Sequence, residues 1–271
     1  MAKLKLPTKK SRISSLLGKY VFLLYGREKI GKTSLASRFP KALFCMFEPG
    51  AKAKEVFQMP VNSWTRFRKI VTMLRDDKHD FRTVVIDTVD ICFRRCVRHV
   101  NKGLGIMHSS EEEWGKGWDL VSEEFQLVVS ELTNLGLGVV FISHAEEKQL
   151  KTRRSGTVDR VIPTMKKQAR KVIEPMVDCW FYLDYLEDAN DQIHRVAYCQ
   201  GTDTISAGDR TNRFPSLIDL GANEEEAYVN LVAAFKGEYT GPSFDDLVPD
   251  ETPRKRKKKG GIRKKVVARK K

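Results

Sequence analysis

Tyr20-Val21-Phe22-Leu23-Leu24-Tyr25, then Gly26-Arg27-Glu28-Lys29-Ile30-Gly31-Lys32-Thr33, then Ser34-Leu35-Ala36-Ser37-Arg38-Phe39 up to Pro40, is the stretch that decides the fold. Its first part is an unbroken apolar run of strand length. Its middle reads G-x-x-x-x-G-K-T, the phosphate-binding P-loop. Its last part continues as a helix until the proline stops it. Gly26 and Gly31 let the backbone curl so that successive N–H groups face inward. The helix beginning at Lys32 and Thr33 and running through Ser34 adds its positive end. Lys32 reaches the β- and γ-phosphates, and the Thr33 hydroxyl is an oxygen ligand of the kind Mg²⁺ prefers. ATP and Mg²⁺ are therefore the expected ligands, held by residues Gly26, Arg27, Glu28, Lys29, Ile30, Gly31, Lys32, Thr33 and Ser34.

Further apolar runs of strand length follow. Ala42-Leu43-Phe44-Cys45-Met46-Phe47 ends at Glu48, which puts a carboxylate at a strand's C-terminal end. Thr83-Val84-Val85-Ile86-Asp87 leads straight into an acid followed by Thr88, the Walker B pattern, with Asp87 directed at the metal shell beside Thr33. Gly138-Val139-Val140-Phe141-Ile142 ends in Ser143-His144, a polar pair that reads as a γ-phosphate sensor or as an ordinary strand end. Helices are expected over residues 63–75 with Ser63 as N-cap, over 88–101, over 118–135 stopped by Gly136, and near 223–235 with Asn223 as N-cap. Residues 177–183 and 195–199 read as an antiparallel hairpin on the edge of a mostly parallel sheet. The segment from Glu146 to Lys171 is basic and weakly patterned, and is expected to be a long functional loop.

The net charge of +14 is unevenly placed. From Glu251 to Lys271 there are twelve Lys or Arg and one Glu, leaving 37 basic and 34 acidic residues in the first 250. Basicity is thus a property of the tail. A block such as Arg254, Lys255, Arg256, Lys257, Lys258 and Lys259 has nothing with which to bury itself, and is expected to be disordered. It reads either as a phosphate-backbone binder whose grip weakens with salt or as a solubilising tail. The expected organisation is a basic lead-in over 1–19, one α/β domain over 20–239 and a disordered tail over 240–271. No apolar run approaches the ~20 residues of a membrane span, and no signal-type h-region opens the chain. A cytoplasmic protein with no membrane partner is expected. Cys45, Cys92, Cys96, Cys179 and Cys199 have no zinc-type double pairing and are expected to be reduced.

The order of these motifs resembles the RecA-type core, most closely the small RecA-like ATPases of bacteriophages that assist single-strand annealing and recombination. The similarity runs from about Val21 to Phe214. It implies a three-layer α/β P-loop core, a mostly parallel sheet flanked by helices with a late antiparallel hairpin. It also implies a DNA-dependent ATPase that forms a homo-oligomer, ring or filament, on single-stranded DNA and acts in phage recombination, annealing or replication. A single-strand-binding protein would be a further partner. By the same resemblance Glu48 orients the attacking water, His144 stands at the sensor position, and Arg210 is a finger reaching a neighbour's ATP. Two loops would face DNA, near residues 103–117 and 146–170. The second offers Lys148, Lys151, Arg153, Arg154 and Arg160, to which the tail adds its cations. Two other functions use a P-loop: a nucleotide kinase, with residues 146–171 as a lid, and an ATP-gated DNA clamp or loader with little turnover.

Overall fold

In the computed structural model the described residues are 6–50, 54–111, 115–152 and 156–247. The apolar runs become strands β1 (Val21–Gly26), β2 (Ala42–Met46) and β4 (Thr83–Asp87), whose residues are all buried. With β5 (Gly138–Thr152) and β7 (Cys179–Glu187) they pair in parallel. A strand buried on both faces needs no alternation of polar and apolar residues, and these sequences have none. β3 (Phe57–Pro60) forms one edge, parallel to β2. At the other side β8 (Ile193–Tyr198) returns antiparallel to β7, and β10 (Leu217–Asp219) pairs antiparallel with β8. The sheet order is β10-β8-β7-β1-β5-β4-β2-β3, so β5 lies between the P-loop strand and the Walker B strand. The two-residue β9 (Gly208–Asp209) pairs with β7.

Helices cover both faces. On one side α2 (Trp64–Asp76), α3 (Val89–Leu104), α4 (Lys116–Thr133) and α5 (Lys167–Met176) enclose Leu23, Cys45, Ile86 and Phe141. On the other, α1 (Lys32–Ser37) and α6 (Glu224–Lys236) pack on Phe22, Phe44, Val140 and Phe181. This is the expected three-layer, mostly parallel α/β P-loop core with late antiparallel strands. The caps sit where residue chemistry puts them. Ser63 Oγ accepts from Arg66 N at 3.2 Å, and Asn223 Oδ1 accepts from Glu226 N at 2.9 Å. Gly136 takes a left-handed φ of 73° after α4.

Two expectations need correction. The segment 146–171 is not a loop. β5 continues through Ser143 and His144 to Thr152 and pairs antiparallel with β6 (Gly156–Pro163), with Lys148 opposite Arg160, and α5 follows. The β5–β6 ribbon mixes charged residues with Leu150, Val158, Val161 and Ile162 and is buried only near its base, so it lacks the clean apolar alternation that marks a half-buried strand. The folded body also runs past residue 239. α7 (Phe244–Leu247) seats Leu247 against Val196 and Leu217, with Phe244 packed on the same cluster. Before β1, a 3-10 turn over Leu17–Lys19 is tied down by Lys19 Nζ to the Gly136 carbonyl at 2.6 Å. Among the described residues all five cysteines are buried and free, and no helix is long and apolar enough to cross a membrane.

Candidate nucleotide site

The parallel strands end together, and their C-terminal ends carry the site. A cavity of about 460 Å³ there is lined by the P-loop, Glu48, Pro49, Gly50, Lys54, Asp87, Thr88, Ile142 and His144. Gly26 leaves β1 so close to β7 that an added Cβ would lie 2.3 Å from the Leu183 carbonyl oxygen. Gly31 sits at φ 101°, in the left-handed region that admits glycine readily. Ile30 is buried beneath the loop and pins it to the core.

Lys32 is folded into its own loop. Its Nζ donates to the carbonyls of Gly26 at 2.8 Å and Arg27 at 2.6 Å. Only 6% of the residue is exposed, and burial pulls its pKa down to about 8, against the attraction of Asp87, Asp90, Glu28 and Glu48. Two neutral carbonyls are weak partners for a buried ammonium, so the lysine is poised for a stronger anion. Thr33 Oγ1 donates to Asp87 Oδ2 at 2.8 Å, and burial raises the Asp87 pKa. These are oxygen donors suited to Mg²⁺. The residues present thus fit a Mg²⁺–nucleoside triphosphate: Thr33 and Asp87 for the metal, Lys32 and the loop N–H groups for the phosphates.

Glu48 follows β2 and is carried toward β4 by backbone bonds from Phe47 N and Glu48 N to the Asp87 carbonyl, at 2.7 and 3.3 Å. Thr88 Oγ1 donates to Glu48 Oε1 at 2.7 Å, leaving Oε2 3.9 Å from His144 Nε2. His144 is level with Gly26 in the β1–β5 register. Lys32, Thr33, Glu48, Asp87 and His144, singled out in the sequence from four separate segments, therefore line one cavity.

Other residues matter that no local pattern marked. Arg195 on β8 reaches under the P-loop, where a Cβ on Gly31 would lie 3.0 Å from its Nη1. It is held by the carbonyls of Leu220 and Asn223 at 3.1 and 2.8 Å. Lys54 pairs with Glu224 at 2.8 Å and so joins the cavity wall to the start of α6. Arg27 pairs with Asp184 at 3.2 Å. Asp90, in the first turn of α3, accepts from Ser143 Oγ at 3.1 Å and Thr164 Oγ1 at 2.6 Å, tying the Walker B helix to β5 and the β6–α5 junction.

The expected DNA and finger residues are placed elsewhere. Lys148 pairs with Glu146 at 2.9 Å on the β5–β6 ribbon, and Arg160 lies opposite it. The Lys151 side chain, Arg153, Arg154 and residues 254–259 lie outside what the structure describes. Arg210 sits at the opposite end of the sheet from the P-loop. It is bound to the Pro175 carbonyl at 2.8 Å and is 3.6 Å from Asp178 Oδ1, while Asp178 Oδ2 receives the Val21 N–H that starts β1.

Several known proteins are similar to this chain. The SPbeta prophage-derived uncharacterized protein YorG of Bacillus subtilis is 28% identical over 164 residues, 58% of this chain. The matched stretch spans 47%, about half, of that protein's length. Among solved structures, a KaiC-like protein, PH0186, of the archaeon Pyrococcus horikoshii aligns with a TM-score of 0.41 at 14% identity, covering 69% of this chain and 80% of that one. A family model described as an AAA domain, AAA_24, matches residues 18–211, and the chain belongs to that family of P-loop ATPases.

Proposed function

We propose that this chain is a Mg²⁺-dependent ATPase that works as a homo-oligomer on single-stranded DNA and assists phage recombination, annealing or replication. The observation that carries the hydrolytic part is Glu48. Its carboxylate is held by Thr88 in the cavity that also contains Lys32 and the Thr33–Asp87 pair. A carboxylate fixed beside the phosphate site, with one oxygen left free of Thr88, is placed to orient a water and take its proton. Lys32 and the loop N–H groups would neutralise charge developing on the transferred phosphoryl. Bound Mg²⁺ would add Lewis-acid polarisation of the phosphate oxygens. His144 stands beside Glu48, where it can respond to the γ-phosphate.

The DNA part rests on the resemblance to phage RecA-like ATPases, the strongly basic tail and the prophage origin of one relative. In an oligomer, Arg210 would act on a neighbour's nucleotide from the far end of its own sheet. Hydrolysis by Glu48→Gln and Lys32→Ala chains tests the catalytic assignment. Glu48→Gln should keep nucleotide binding and lose turnover by about 100-fold, and Lys32→Ala should abolish turnover while binding nucleotide more weakly. Undiminished turnover in either chain refutes the assigned role.

A further inference from the structure

The Walker B helix α3 carries a second feature that the nucleotide site does not use. Its inward face is apolar: Val89, Cys92, Phe93 and Cys96. Arg95, Arg98, His99 and Lys102 recur at i, i+3, i+4 and i+7, and so form a stripe on another face. They line a groove of about 670 Å³ whose other wall is the first turn of α2, at Ser63, Trp64 and Thr65. That helix start adds the partial positive charge of its free N–H groups.

Among the described residues the groove is lined by one acid, Glu124, which accepts from Trp64 Nε1 at 2.7 Å and lies 3.5 Å from Arg68. Among the described residues no carboxylate forms an ion pair with Arg95, Arg98 or Lys102, and Arg95 Nε is buried with no partner. Like charges spaced three and four apart on a helix repel. Such an arrangement is relieved by an external polyanion. Arg95 to Lys102 extends about 10 Å along the helix axis, so the anion it suits is extended.

The groove also leads to Glu48. Arg95 and Asn62 line a second depression of about 630 Å³, whose other residues include Glu48, Pro49 and Gly50. Those three residues line the nucleotide cavity as well. Depressions therefore follow one another from the P-loop past Glu48 to Arg95 and on to Lys102.

We propose that the groove between the start of α2 and the outer face of α3 binds the phosphate backbone of single-stranded DNA, with Arg95, Arg98 and Lys102 as its phosphate contacts. This site is separate from the tail and from the β5–β6 ribbon. It rests on the DNA part of the function proposed above.

The test is fluorescence anisotropy of a labelled oligothymidylate with the full chain, titrated between about 50 and 200 mM NaCl. The variants are Arg98→Ala/Lys102→Ala and a charge-matched control, Lys78→Ala/Lys236→Ala, at exposed positions off the groove. Each phosphate contact on a single strand contributes about 0.7 to the slope of log affinity against log salt, so the groove variant should lose about 1.4 from that slope. The control should keep the wild-type slope. Equal slopes in the wild type and the groove variant, or an equal loss in the control, overturn the site while leaving DNA binding intact. No binding by the wild-type chain overturns the DNA reading itself. Polyglutamate binding abolished by the groove variant, with DNA binding unchanged, gives the groove to an acidic protein segment instead.

Discussion

Nucleotide binding should protonate Lys32. Its ammonium lies in a buried loop against two carbonyl oxygens, and its pKa is drawn down to about 8. At pH 9 only about one tenth of such lysines carry a proton. A bound triphosphate replaces the two carbonyls with an anion, which favours the charged form and restores the pKa to the ordinary lysine range or above. Nucleotide binding at pH 9 should therefore draw in about 0.9 proton per chain, and at pH 6.5 almost none at this residue. Asp87, whose pKa is raised, contributes with the opposite sign: Mg²⁺ binding releases whatever proton it holds, an effect that grows toward acid pH. Calorimetry of Mg–ATP binding in two buffers of different ionisation heat reads the net proton count at each pH. No uptake at pH 9, or the same uptake in a Lys32→Met chain that still binds nucleotide, rules out protonation of Lys32 by the bound phosphates.

Four further outcomes follow from geometry. Gly26→Ala pushes a methyl into the Leu183 carbonyl, so it should lower stability by about 3 kcal/mol or more. Gly103→Ala, in α3 with open space around it, should stay within about 1 kcal/mol and stabilise if anything, as thermal unfolding of both chains would show. Thr88→Val keeps the shape of a buried side chain but removes the hydroxyl that holds Glu48. Turnover should fall about tenfold, about 1.4 kcal/mol, with KM for ATP unchanged, and equal turnover would free Glu48 from dependence on Thr88. The five cysteines are buried, with the Cys45 thiol pushed up to about 12, so a thiol reagent at pH 8 should label none until the chain is unfolded. A thiol that reacts quickly in the native chain contradicts that placement.

The centre of the fold was legible because its physics is local. β1, β2 and β4 are apolar runs buried on both faces, and the glycine–lysine–threonine spacing carries its own geometry. Caps at Ser63 and Asn223 depend on neighbours three residues away, and both were readable. β3 was not, since Phe57 is exposed and Pro60 ends a short edge strand that only pairing with β2 defines. The outer part of the β5–β6 ribbon is held by its ladder, with burial confined to its base at Ile162 and Pro163, so its charged residues looked like a loop. α5 did carry a helical pattern in Ala169, Val172, Ile173 and Met176, hidden within a cationic run. In the site, Lys32, Thr33, Glu48 and Asp87 were readable as strand-end and loop motifs. Arg195 and the Lys54–Glu224 pair come from distant segments and exist only once the sheet has assembled.

On this reading ATP turnover at the Lys32–Glu48 site is coupled to single-stranded DNA. The coupling is tested most directly by the hydrolysis rate of the intact chain with and without an oligothymidylate, at low and at moderate salt. We expect DNA to raise turnover several-fold at about 50 mM salt, with the stimulation fading toward about 200 mM as phosphate contacts are screened. Turnover that is the same with and without DNA at both salts contradicts the coupling, and leaves a P-loop ATPase whose partner is something other than DNA.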